Sequence, residues 1–217
     1  MACTAAEFIE KLDALGSRPG MGQIFALAKA CMDMPLAEIE LLLESPRHTA
    51  RVGAVSVMDF QARSRKASTE RRMALFDLYL RRHDLIDTWD LVDRSAIWVV
   101  GEHLRDKPRD ILDELARSAR PMERRTAILS TFAFIRHGEL DDAYRIAELL
   151  VHDDEDLVHK AVGWMLREAG KRDEPRLLAF LDRHAATMPR VTLRYAIEKL
   201  DRATAERYRA LKGRGAA

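Results

Sequence analysis

Arg94-Ser95-Ala96-Ile97, a cation followed by small and β-branched residues inside an apolar run, sets the architecture because the same grammar returns along the chain. It is met again as Arg51-Val52-Gly53-Ala54, Arg125-Thr126-Ala127-Ile128, Lys160-Ala161-Val162-Gly163 and Arg194-Tyr195-Ala196-Ile197, with successive first positions 43, 31, 35 and 34 residues apart. Each copy lies in the second of two helical segments. A helix pair recurring at that interval cannot bury its apolar face alone and does so by stacking on the next pair, which predicts an all-α solenoid.

Working away from the repeats, the punctuation is helical throughout and a strand-length run of alternating apolar and polar residues is missing. Thr4-Ala5-Ala6-Glu7 reads as a capping box before the stripe Phe8, Ile9, Leu12 and Leu15, which stops at Gly16. The stretch 16–22, glycine-rich and holding Pro19, reads either as a loop that lets backbone approach a ligand or as an ordinary helix connection. Further helices are expected over about 23–33, 36–44, 48–63, 69–82, from Trp89 through Trp98, 109–119, 123–137, 140–151, 155–170, 175–186 and 190–200, several of them opened by Pro35, Pro108, Pro121 or Pro175. The expectation is a single domain over 1–217, with 201–217 a terminal helix and a disordered tail.

With 217 residues, 47% hydrophobic and 33% charged, the chain has the composition of a soluble globular protein with many solvated helical faces. Apolar runs such as 96–101 are too short to span a bilayer, and the N-terminus lacks the zones of a signal peptide, so a cytoplasmic protein is expected. Cys3 and Cys31 are too few for a disulfide framework and have no zinc-finger partners, which fits a reducing compartment. The seven histidines show no metal-ligand spacing with carboxylates, so neither a metal nor a cofactor is expected.

A net charge of +1 is silent about polyanions, but its distribution is not. Between Ser45 and His83 the cations Arg47, Arg51, Arg63, Arg65, Lys66, Arg71, Arg72, Arg81 and Arg82 face only Asp59, Glu70 and Asp77, and the stretch 84–123 reverses the sign. The repeat cations form a row if the second helices lie side by side. Such a row suits regularly spaced phosphates, or else it ties the ends and acidic residues of neighbouring helices.

Thr88-Trp89-Asp90-Leu91-Val92-Asp93 opens the helix that carries the central repeat copy. Trp89 and Asp93 stand four apart and therefore share a helix face, an indole beside a carboxylate. On spacing alone Trp89 also reads as core, Asp93 as a complement to the helix dipole, Trp164 as core among Val162, Met165 and Leu166, and Arg125 as one more repeat cation. Trp98 reads as core.

Trp89-Asp90-Leu91-Val92-Asp93, 124–129 (Arg-Arg-Thr-Ala-Ile-Leu) and 160–168 (Lys-Ala-Val-Gly-Trp-Met-Leu-Arg-Glu) resemble, in order, the three signature segments of the DNA alkylation-repair (AlkD-like) HEAT-repeat glycosylases. The similarity extends from about Gly16 to Leu200. It implies a right-handed superhelix of HEAT-like helix pairs and a monomeric, monofunctional enzyme that hydrolyses the N-glycosidic bond of cationic N3- and N7-alkylpurines in double-stranded DNA, without deep flipping of the base. Matched position by position, Asp93 takes the place of the family's catalytic carboxylate, Trp89 and Trp164 the indoles beside the lesion's sugar, and Arg125 the phosphate contact. The loop 16–22 departs from the family pattern with Pro19 and an extra glycine. Two other expectations compete: a non-catalytic HEAT-repeat binder of branched or distorted DNA, and a protein-binding scaffold.

The residue types suit that chemistry. A cationic purine leaves without protonation, so the demand falls on the sugar, where a carboxylate stabilises developing positive charge and steers water. Electron-rich indole faces attract the same cation by roughly 0.5 to 2 kcal/mol each.

Overall fold

A computed structural model describes residues 2–211, so the tail expected after 211 lies outside the described residues. Among the described residues every regular element is helical and no strand is found. Contacts divide the chain into two compact units, 1–106 and 107–217.

The first unit holds α1 (Ala5–Ala14), α2 (Met21–Ala30), α3 (Leu36–Leu43), α4 (His48–Arg63), α5 (Thr69–Arg81) and α6 (Trp89–Ala96), with a 3-10 turn at His83–Leu85. The capping box forms as expected: the Glu7 amide donates to Thr4 Oγ1 and the Thr4 amide to Glu7 Oε2. Gly16 follows α1 with φ +94°, a conformation that favours glycine. Pro35, whose opening role suggested the first helical position, is the N-cap of α3 instead, where its missing N–H costs nothing.

Helix α4 is the hub of this unit, packing against α1, α2, α3, α5 and α6. The hub is possible because α4 buries small residues. Gly53 is pressed so closely by the Phe8 ring that no Cβ fits without movement. Helix α6 runs on into a five-residue π-helical segment, Ile97–Gly101, where the Glu102 amide donates to the Ile97 carbonyl five residues back. Trp98, expected as core, is half-buried under the Arg63 guanidinium, 4.7 Å from its ring centroid.

Cys3 and Cys31 are joined as a disulfide with Cα atoms 5.3 Å apart, in contrast to the thiols expected from their number. The bond ties the start of α1 to the end of α2.

The second unit holds α7 (Asp110–Ala116), α8 (Pro121–Arg136), α9 (Asp141–Leu150), α10 (Asp156–Gly170), α11 (Glu174–His184), α12 (Arg190–Ala196) and α13 (Arg202–Ala210). Pro121 occupies N1 of α8 and Asp173 caps α11 through the Arg176 amide. Helices α8, α10 and α12 pack side by side, as α2, α4 and α6 do in the first unit. At the α10–α12 seam Gly163 lets the backbones meet.

Candidate active site

Trp89 is the first residue of α6 and is 52% exposed, and Asp93 lies one turn on, half-buried. Leu91, Val92, Ser95 and Ala96 cover the other side of the helix and are buried, so the Trp89–Asp93 face is the one left toward solvent. The helix is held from beneath. Arg94, next to Asp93, turns inward, with Nη2 3.0 Å from the carboxylate of Asp59, Nε donating to Ser56 Oγ, and its guanidinium 4.5 and 4.7 Å from the ring centroids of Phe25 and Phe60.

Asp59 is sealed from solvent, and burial pushes its carboxyl above the usual range against the pull of Arg94 and Arg63. Burial likewise pushes the Arg94 guanidinium below its usual range. Both partners shift toward their neutral forms, so desolvation outweighs attraction and the pair contributes a fixed rotation of α6 more than stability.

Beside the Trp89–Asp93 face lies a contact the sequence reading missed. Asp90 accepts from Thr88 Oγ1 at 2.7 Å and meets Nε2 of His48, the first residue of α4, at 2.8 Å. Burial raises the Asp90 carboxyl, but the Thr88 hydroxyl and His48 together hold it below the usual range. His48 and Asp90 stand 42 residues apart, one residue short of the first repeat interval. Register was the only signal for the contact.

In the second unit Arg125 on α8 is only 5% exposed and donates to the Leu157 carbonyl in the first turn of α10. Trp164 on α10 is half-buried, its ring centroid 6.3 Å from that of Phe132 on α8. The pairs Trp89 with Asp93 and Arg125 with Trp164 are therefore each set by one unit: the first by one helix, the second by two that pack together.

The row of repeat cations is largely engaged inside the protein. Arg51 bonds Asp87 and the Leu85 carbonyl, Arg94 pairs with Asp59, and Lys160 reaches Asp156 at 2.6 Å. Arg194 is exposed, with its guanidinium 5.5 Å from the Tyr195 ring. The structural alternative thus accounts for most of the row.

Among the described residues no group of three or more His, Cys, Asp or Glu side chains is arranged to hold a metal ion, and no helix is long and apolar enough to cross a membrane. A search of the curated proteins finds no match. Residues 5–200 match the model of the family described as DNA alkylation repair enzyme. Since that span takes in every helix from α1 to α12, the chain belongs to the DNA alkylation repair enzyme family.

Proposed function

We propose that the protein is a monofunctional DNA glycosylase that releases cationic N3- and N7-alkylpurines from duplex DNA, acting in the cytoplasm as a monomer built from HEAT-like helix pairs. The observation that carries this reading is the half-exposed Trp89 one turn from Asp93 on a helix whose rotation is fixed from below. Membership of the DNA alkylation repair enzyme family supports DNA as the substrate.

In this reading the N-glycosidic bond lengthens and its electron pair leaves with the purine, which departs neutral because it began cationic. Positive charge grows at the anomeric carbon and ring oxygen, and the Asp93 carboxylate stabilises it. The same carboxylate orients a water that attacks the anomeric carbon, takes its proton and passes it to solvent. Trp89 and Trp164 offer ring faces to the cationic sugar.

Arg125 holds the lesion's phosphate. To do so its guanidinium has to leave the Leu157 carbonyl on binding DNA, and until then it ties α8 to the helix that carries Trp164.

Purified protein is expected to release 7-methylguanine or 3-methyladenine from methylated duplex DNA. Asp93→Asn is expected to slow release by about 10²-fold or more while keeping the wild-type circular dichroism. Full release by that variant refutes the role of Asp93, and absence of release by wild type on DNA it binds refutes the enzyme. A second reading, a non-catalytic binder of branched or distorted DNA, draws on the internal pairing of Arg51, Arg94 and Lys160, which leaves fewer cations for an undistorted duplex. It predicts junction binding that Asp93→Asn leaves unchanged.

A further inference from the structure

The excess of positive charge between Ser45 and His83 is only partly spent on ion pairs, and the remainder gathers at the end of the first unit where α4 gives way to α5. There a recess of about 330 Å³ opens between the turn 32–35 and the loop 64–67, walled by Met32, Asp33, Gln61, Ser64, Lys66 and Arg71. A volume of that size suits a small ligand with one charged group.

Arg71 is the unusual member. Several partly buried arginines elsewhere in the molecule meet a carboxylate: Arg82 meets Glu40 at 2.7 Å, Arg109 meets Asp142 at 2.5 Å and Arg124 meets Asp153 at 2.5 Å. Arg71 meets none among the described residues. Its Nε and Nη2 donate to Gln61 Oε1 at 3.0 and 2.6 Å, and Nη2 also donates to the Met34 carbonyl at 2.9 Å. Its Nη1 makes no hydrogen bond among the described residues.

Gln61 is itself buried and pinned, donating from Nε2 to the carbonyls of Met32 and Met34. The guanidinium is therefore rigidly aimed, with one edge clamped and one nitrogen to spare. Burial holds it below its usual range, the electrostatic stress that an incoming anion relieves.

The surroundings add positive charge. Lys66 and Arg65 are exposed and make no ion pair among the described residues. Arg72 spends its three nitrogens on the carbonyls of Ala62, Ser64 and Ala67, none of which is a carboxylate. Asp33, the carboxylate on the wall, has Oδ1 accepting the Cys3 amide at 3.3 Å, and Glu70 faces solvent.

We propose that this recess is an anion site that takes a phosphoryl group, gripped by the spare nitrogen of Arg71 with Lys66 closing over it. A planar guanidinium with a free N–H and a neighbouring ammonium is the pairing that tetrahedral oxyanions favour. The group reaches the site either on a small phosphate or monoester or as a backbone phosphate of DNA. The site stands apart from base excision, since its readout is binding, and it survives or fails independently of the role of Asp93.

The test uses the full chain. Inorganic phosphate is titrated against chloride at matched ionic strength, with amide chemical shifts of the 64–72 segment and the thermal midpoint as readouts, for wild type, Arg71→Gln and Lys66→Gln. In parallel, affinity for an undamaged duplex is measured from low to high salt. A saturable response of wild type, weakened about tenfold or more by Arg71→Gln, assigns the site to free phosphate or a monoester. No response to phosphate, but a duplex salt slope smaller by about one in either variant, assigns it to the DNA backbone. Phosphate and chloride acting alike, together with an unchanged salt slope, overturns the proposal. Lys66→Gln changes an exposed side chain, so it keeps the test valid if Arg71→Gln does not fold.

Discussion

Arg94 Nη2 stands 3.0 Å from the carboxylate of the solvent-sealed Asp59, so the residue directly after Asp93 is anchored in the core of the first unit. Burial already pushes the Asp59 carboxyl toward its neutral form, so the neutral Asp59→Asn is expected to cost no more than about 1 kcal/mol in urea denaturation at pH 7.

The same substitution carries a pH signature. A carboxyl whose folded pKa lies above its unfolded value, near 4, binds its proton more tightly in the folded state. Its contribution to stability is therefore fully present below the unfolded value and is lost as pH rises through the folded one. Wild type gains this increment on acidification and Asp59→Asn does not, so the variant's deficit should grow as pH falls from 7 toward 4. A deficit that stays flat or shrinks contradicts the raised carboxyl.

Trp89→Ala removes a ring that is half in solvent, and stability should stay within about 0.5 kcal/mol of wild type. Base release should fall by about 2- to 30-fold, the equivalent of 0.5–2 kcal/mol of cation–ring attraction. Trp164→Ala serves as the contrast, because its ring packs toward Phe132 and its loss should lower the thermal midpoint as well. A Trp89→Ala protein that is unstable but fully active would reverse the assignment.

Gly163→Ala should destabilise the second unit by roughly 1–3 kcal/mol or more. The new Cβ would lie 2.5 Å from the Thr192 carbonyl oxygen and 2.6 Å from Tyr195 Cβ, and backbone cannot step aside as a side chain can. Gly22→Ala, in α2 with nothing within 4 Å, is expected to stabilise by about 0.4–1 kcal/mol. Thermal denaturation of the two variants side by side separates packing from backbone entropy.

Reduction of the Cys3–Cys31 bond, which closes a sequence separation of 28 residues, should lower unfolding free energy by roughly 2–4 kcal/mol. Denaturation with and without reductant measures it. Two titratable thiols in protein unfolded without reductant would contradict the pairing.

The sequence held most helix limits, because those limits are local chemistry. Thr4 with Glu7, Ser68, Pro121 and Asp173 satisfy or omit amides within three residues of themselves. It did not hold the partners of the repeat cations. Arg51 and Arg94 find Asp87 and Asp59 36 and 35 residues away on other elements, and spacing along one helix is blind to that. The disulfide was hidden for the same reason, as was the contact of His48 with Asp90. For the candidate site, the shared face of Trp89 and Asp93 follows from a four-residue interval. The deep burial of Arg125 does not, since a cation in an amphipathic helix gives no sign of which carbonyl will claim it.

The widened turn at Ile97–Gly101 has a consequence for Trp89 and Asp93. A π-helical turn accommodates one residue more than an α-turn, and each residue of an α-helix advances the chain by about 100°. Deleting a single residue from a regular α-turn would swing the indole and carboxylate by about 100° relative to the chain that follows, whereas the wider turn absorbs its extra residue without that swing. The bearing of this face is thus insulated from one surplus residue downstream of the side chains that use it.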